Sequence, residues 1–137
     1  MNTKKVLISG IVGGIVFFLL GWLIYGVLLM DFMSKNSSSG VMKTQDEFVW
    51  WALIVSNLIF GILIAYVLNA VGNITSTGKG SATAATIGLL TSAGFDLGLY
   101  ATSNVSTLPG LVADIAAITF MNAIVGAIIV IISKKIK

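Results

Sequence analysis

Two carboxylates, Asp96 in "TSAGFDLGLYA" and Asp114 in "LVADIAA", are the side chains best placed to do chemistry, because each lies in a long run of apolar and small residues. A carboxylate in such a run can hold a proton, bind a cation or serve as half of an acid–base pair. The chain has no Cys and no His, which excludes disulfides, thiolate chemistry, an imidazole base and the usual zinc and haem ligands. Any ion site is built from oxygens, and no metal centre or cofactor is expected. Charged and placed centrally in a bilayer, each aspartate costs about 2.5–3.5 kcal/mol, and no Lys or Arg lies in the same runs to neutralise it. Three states are open: the groups are protonated, they share one proton or a cation, or they are shallow enough to be hydrated. Two carboxylates in contact cannot both ionise cheaply.

The elements that must position them follow from composition. Of 137 residues, 57% are hydrophobic and 9% charged, far from the roughly 25% charged of an ordinary globular domain. Four apolar stretches, roughly 6–30, 48–71, 81–102 and 108–133, are each long enough to cross a hydrocarbon core about 30 Å thick. The expected fold is all-α, an integral membrane four-helix bundle forming a single transmembrane domain over 1–137. The first stretch follows Lys4 and Lys5 but is longer than the ~7–15 apolar residues of a signal peptide, so it reads as a retained span.

Charge sets the expected orientation. Six of the eight lysines, at 4, 5, 79, 134, 135 and 137, fall on one side of a four-span topology, and Lys35, Lys43, Asp31, Asp46 and Glu47 on the other. Cytoplasmic loops carry the excess of Lys and Arg, so both termini are expected in the cytoplasm. The net charge of +3 forms no patch, and no nucleic-acid partner is expected.

The connections are short. Residues 31–47, "DFMSKNSSSGVMKTQDE", read as a flexible loop that ends in a Thr44-x-x-Glu47 capping box opening the second span, with Trp50 and Trp51 as interfacial anchors. "GNITSTGKG" reads as a tight turn starting with a glycine stop at Gly72. In "SNVSTLPG", Thr107 is the expected cap and Pro109 is tolerated in the first turn of the last helix, so spans three and four form a tight hairpin. "NSS", "NIT" and "NVS" match the glycosylation pattern at Asn36, Asn73 and Asn104, a pattern that chance readily supplies in a chain rich in Ser, Thr and Asn.

That hairpin gives the aspartates a common height. Residue 105 is nine positions from each, so both sit about 6–10 Å below the outer interface. Height does not fix rotation. On the third span, Gly88, Ser92, Asp96 and Tyr100 recur every four residues and are expected to face protein, with Gly94 and Gly98 flanking the aspartate at a close-packing spacing. On the fourth, Ala113, Asp114, Ala117 and Met121 share a side, with Asn122 turned partly away. Asp96 is therefore expected to face Asp114 and to be at least partly protonated at neutral pH. Tyr25 and Asn57, at similar heights on the first two spans, could donate to a carboxylate. Asn57, Asn69 and Asn122 are expected to hydrogen-bond between helices, and Gly10-x-x-x-Gly14 to pack inside the bundle.

"GLLTSAGFDLGLYAT" followed by "VADIA" resembles a family of small four-span bacterial membrane proteins without an established activity. The shared pattern covers Gly88, Phe95, Asp96, Leu97, Ala101, Thr102, Asp114 and Ile115, less than a third of the chain. The resemblance implies a multi-pass protein of the bacterial inner membrane and supplies no activity. That family carries an acidic residue near a Trp in its first span, where this chain has the neutral "GWLIYG", so a three-carboxylate site is not expected.

Two functions compete on this reading. The first is a non-catalytic membrane protein, an accessory subunit of a larger membrane complex or a small homo-oligomer, with the aspartates locking the hairpin. The second is a proton- or cation-linked transporter or channel-like oligomer using Asp96 and Asp114. A membrane enzyme with an aspartyl pair would need an accompanying signature that the chain lacks.

Overall fold

The computed structural model describes residues 2–136, and among them the chain is helical with no β-strand. The elements are α1 (Thr3–Leu23), continued by a π-helical turn (Ile24–Leu28), then α2 (Met30–Asn36), a 3-10 turn (Gln45–Glu47), α3 (Trp50–Tyr66), a second π turn (Val67–Val71), α4 (Thr77–Thr102) and α5 (Leu108–Lys135). Four segments are long and apolar enough to cross a membrane: Thr3–Leu28, Trp50–Val71, Thr77–Thr102 and Leu108–Lys135. By length and composition the chain is a multi-pass membrane protein.

Local chemistry sets the helix ends. Asn2 caps α1 by accepting from the Lys5 amide at 3.0 Å, and Thr107 caps α5 by accepting from the Gly110 amide at 3.3 Å, with Pro109 in the first turn. Ser76 accepts from the Lys79 amide, so α4 starts at Thr77, four residues before the expected boundary. Gly72 follows the second π turn with an ordinary φ of −85°, and the left-handed residue is Asn73 at φ 45°. The Ile74 amide then reaches back to the Leu68 carbonyl at 2.7 Å, which satisfies a helix-end acceptor.

Two expectations about the first connection are corrected. Its first residues are helical, as α2, because Asp31 lies in the first turn and Lys35 in the last, a charge order that suits the helix dipole. Thr44 and Glu47 do bond, with the Thr44 amide donating to Glu47 Oε2 at 3.0 Å, but the box closes a single 3-10 turn. Phe48 and Val49 are extended or irregular after it, and α3 begins at Trp50.

Packing runs from α3 to α1, from α1 to α5 and from α5 to α4, while α4 meets the α3 side chiefly through the second π turn. Small residues make the close contacts. A Cβ added at Gly61 of α3 would collide with the Gly14 amide nitrogen and the Gly10 carbonyl and lie 2.7 Å from Gly14 Cα, so α1 and α3 touch backbone to backbone. A Cβ at Gly126 of α5 would collide with Ala84 Cβ and the Gly80 carbonyl of α4. Lipid tails are as apolar as Leu, so helices associate in a bilayer through such close packing rather than by escape from water. The best-buried side chains, Ile64, Leu68, Val125, Ile129 and Val130, all lie in the half near the termini. The outward helix faces carry large apolar side chains, among them Trp51, Ile59, Phe60, Leu90 and Phe95, each more than half exposed.

A polar clasp ties the loops at the end opposite the termini. The Thr107 amide donates to the Asn36 carbonyl at 2.9 Å, Thr107 Oγ1 donates to Asn36 Oδ1 at 2.6 Å, and the Ser38 amide donates to the Val105 carbonyl at 2.9 Å. Ser37 and Ser106 form an isolated antiparallel bridge.

Candidate functional site

The candidate site lies on α5 between α4 and the π turn that continues α1, towards the end opposite the termini. At the top of α1 the backbone widens into a π turn, in which the Leu29 amide donates to the Ile24 carbonyl at 2.7 Å. Such single-turn widenings recur at functional sites. Tyr25 belongs to this turn, half-buried, and its hydroxyl donates to Asp114 Oδ1 on α5 at 2.6 Å, a contact between residues 89 apart in sequence. The length is that of a charge-assisted bond.

Asp96 on α4 is a neighbour of Asp114 on α5. Its Oδ2 is buried and has no hydrogen-bond partner among the described residues. A buried carboxyl oxygen without a donor, next to a second carboxyl and with the lysines of the spans confined to their far ends, is a place for a proton or a small cation. One turn below on α4, Ser92 is buried and donates to the Gly88 carbonyl at 2.7 Å, so its hydroxyl proton is already used. Among the described residues no three His, Cys, Asp or Glu side chains gather as a metal site.

The structure brings together Asp96, Asp114 and Tyr25 and leaves several expected partners elsewhere. Asn57 lies on α3 and donates to the Leu53 carbonyl of its own helix at 2.7 Å, so it does not serve the carboxylates. Tyr100 is 44% exposed and turned out of the packed face. The reason is that steps of four residues drift by about 40° each around a helix, so a stripe that is inward at Gly88 and Ser92 has rotated outward three steps later. Gly94 and Gly98 also pack against nothing in the chain, with no heavy atom within 4 Å of a Cβ added at either. Both are two residues from an inward Asp96, hence about 160° away on the far face. Gly10, Gly14 and Gly88 do make close contacts, the last against Asn122, whose Nδ2 would lie 2.6 Å from an added Cβ.

Asn122 is corrected as well: it is 6% exposed and packs on α4 rather than turning away. Its amide donates to the Ile118 carbonyl at 2.9 Å, and Asn69 likewise donates to Ala65 of its own helix at 2.9 Å. Of the three asparagines only Asn69 also reaches another helix, at Ser9 Oγ, 3.4 Å away. The π turn around Tyr25 and the clasp of Asn36 with Thr107 carry no sequence signal beyond the Thr107 cap. No protein-family model, no curated protein and no solved structure matches the chain.

Proposed function

We propose that this chain is a non-catalytic multi-pass protein of the bacterial inner membrane, folded as a four-helix bundle with both termini in the cytoplasm. It works as a small homo-oligomer or as an accessory subunit of a larger membrane complex. The orientation rests on the six lysines at the end that carries the termini. The observation that carries the role is the cluster of Tyr25, Asp114 and Asp96, in which a 2.6 Å hydrogen bond joins two spans and Asp96 neighbours Asp114 from a third. With a proton between the carboxyls, each carboxyl group has a proton on or hydrogen-bonded to at least one of its oxygens, and the cluster locks the ends of α1, α4 and α5 together.

Association is supported by α4. It is the least apolar of the four spans and the least buried, with 17% of its most apolar window inside the chain against 39% for α5. Its open face carries Thr86, Thr91, Gly94, Gly98 and Thr102, and small and hydroxyl residues are those that pack against another helix rather than lipid. A second copy of the chain, presenting the same face, fits this surface by isologous pairing.

A second reading, proton or cation transfer through the same pair, is favoured by the unpartnered Asp96 Oδ2. Replacing Asp96 and Asp114 by Asn, singly and together, tests both. A lock survives: the variants keep the wild-type thermal midpoint within a few degrees, and wild type in proteoliposomes passes no protons or alkali cations above protein-free vesicles. Wild-type flux that vanishes in folded Asn variants would replace the first reading by the second.

A further inference from the structure

At the opposite end from the carboxylates, the start of α1, the end of α5 and the turn after α3 enclose a small cleft of about 60 Å³. Its polar wall is Lys5, Asn69, Asn73, Thr75, Ser133 and Lys134. Among the described residues no Asp or Glu lines it, so its two cationic residues have no carboxylate side chain beside them in the cleft. Ser133 is 5% exposed, and its Oγ is buried with no hydrogen-bond partner among the described residues. A helix serine ordinarily returns its proton to the carbonyl four residues back, as Ser9 and Ser92 do here at 2.7 Å. Ser133 keeps its donor free just beneath a wall of cationic and amide side chains.

The volume is about twice the ~30 Å³ of a liquid water, room for a compact tetrahedral group and not for an acyl chain. The last carbonyls of α5 make this end negative, which Lys134 offsets. A ligand must therefore be anionic enough to engage both lysines and must accept from hydroxyl and amide donors. We propose that this cleft binds a phosphate group, presented by an anionic phospholipid of the leaflet on the lysine-rich side. The cleft opens at the ends of two membrane-crossing helices, the height at which lipid phosphates lie, and basic pockets between spans on that side suit such headgroups. The site is independent of the carboxylate cluster.

The test uses the full chain in nanodiscs of mixed phosphatidylcholine and phosphatidylglycerol, with bound lipid read by native mass spectrometry. Wild type retains phosphatidylglycerol in excess of its share of the bilayer. Lys5→Gln and Lys134→Gln each lower the enrichment about fivefold, and Ser133→Ala lowers it about tenfold. Lys79→Gln, a lysine on the same side that does not line the cleft, changes it less than about twofold. Circular dichroism confirms that each variant is folded. Inorganic phosphate, added in excess to protein in phosphatidylcholine alone, separates the sources: thermal stabilisation that depends on Lys5 and Lys134, without phosphatidylglycerol enrichment, assigns the same phosphate chemistry to a soluble ligand. No enrichment and no stabilisation overturns the proposal, as does an enrichment that Lys79→Gln lowers as much as Lys134→Gln.

Discussion

Replacing Tyr25 by Phe removes one hydroxyl and leaves the ring, so its effect isolates the 2.6 Å hydrogen bond to Asp114 Oδ1. Hydrogen bonds to charged groups contribute about 1.5–3 kcal/mol in water-soluble proteins. Interhelical bonds in membranes average nearer 0.6 kcal/mol, with values up to about 2, because the separated helices find other partners. Tyr25 is half-buried and its bond is short, which places the expected loss at about 1–2 kcal/mol. The assay is reversible unfolding in mixed micelles, followed by circular dichroism as the denaturing detergent fraction rises. Asp114→Ala should cost at least as much, since it also deprives Asp96 of its neighbour. In the double variant the two losses should fall short of their sum by about 1 kcal/mol, the coupling of the pair. A coupling below about 0.3 kcal/mol would show that the hydroxyl and the carboxyl do not stabilise one another, and the lock between α1 and α5 would fail.

Other consequences follow from packing. Gly61→Ala sets a methyl against the backbone of Gly10 and Gly14, which cannot yield, and should destabilise by about 3 kcal/mol in the same assay; Gly98→Ala, with open space around it, should cost less than about 0.5 kcal/mol. Because the chain has no Cys, a single Cys at Gly94 or Gly98 should form a disulfide-linked dimer on mild oxidation in the membrane, while one at the buried Gly88 should not. Thr107→Ala removes both the cap of α5 and the hydroxyl bonded to Asn36, with an expected loss of about 1 kcal/mol and faster hydrogen exchange at Gly110.

The spans were legible in sequence because hydrocarbon thickness fixes their length, and the structural bounds differ from the expected ones by only a few residues. Depth was legible too, since a tight hairpin with equal arms puts Asp96 and Asp114 at one height. Rotation was harder. The positions of Gly94 and Gly98 follow from the 100° step per residue once Asp96 is known to face inward, yet a close-packing spacing says nothing of which face it occupies. Asn57 and Asn122 look like interhelical donors by composition, but the carbonyl one turn back is always nearer, and both bond there. The helical start of the first connection was hidden by its polar residues, and the π turn beneath Tyr25 has no compositional mark at all. Ser133 was passed over because a serine in the last turn of a helix is ordinarily satisfied by its own backbone.

The central claim is that Asp96 and Asp114 hold a proton between them and so lock three spans through Tyr25. Infrared difference spectroscopy in the carboxyl region, on protein in lipid nanodiscs at neutral pH, tests it most directly. The account predicts a protonated-carboxyl band in the wild type that is lost in Asp96→Asn and in Asp114→Asn alike and shifts in Tyr25→Phe. A spectrum without that band, or one unchanged by either substitution, would show two separately ionised carboxylates and contradict the lock.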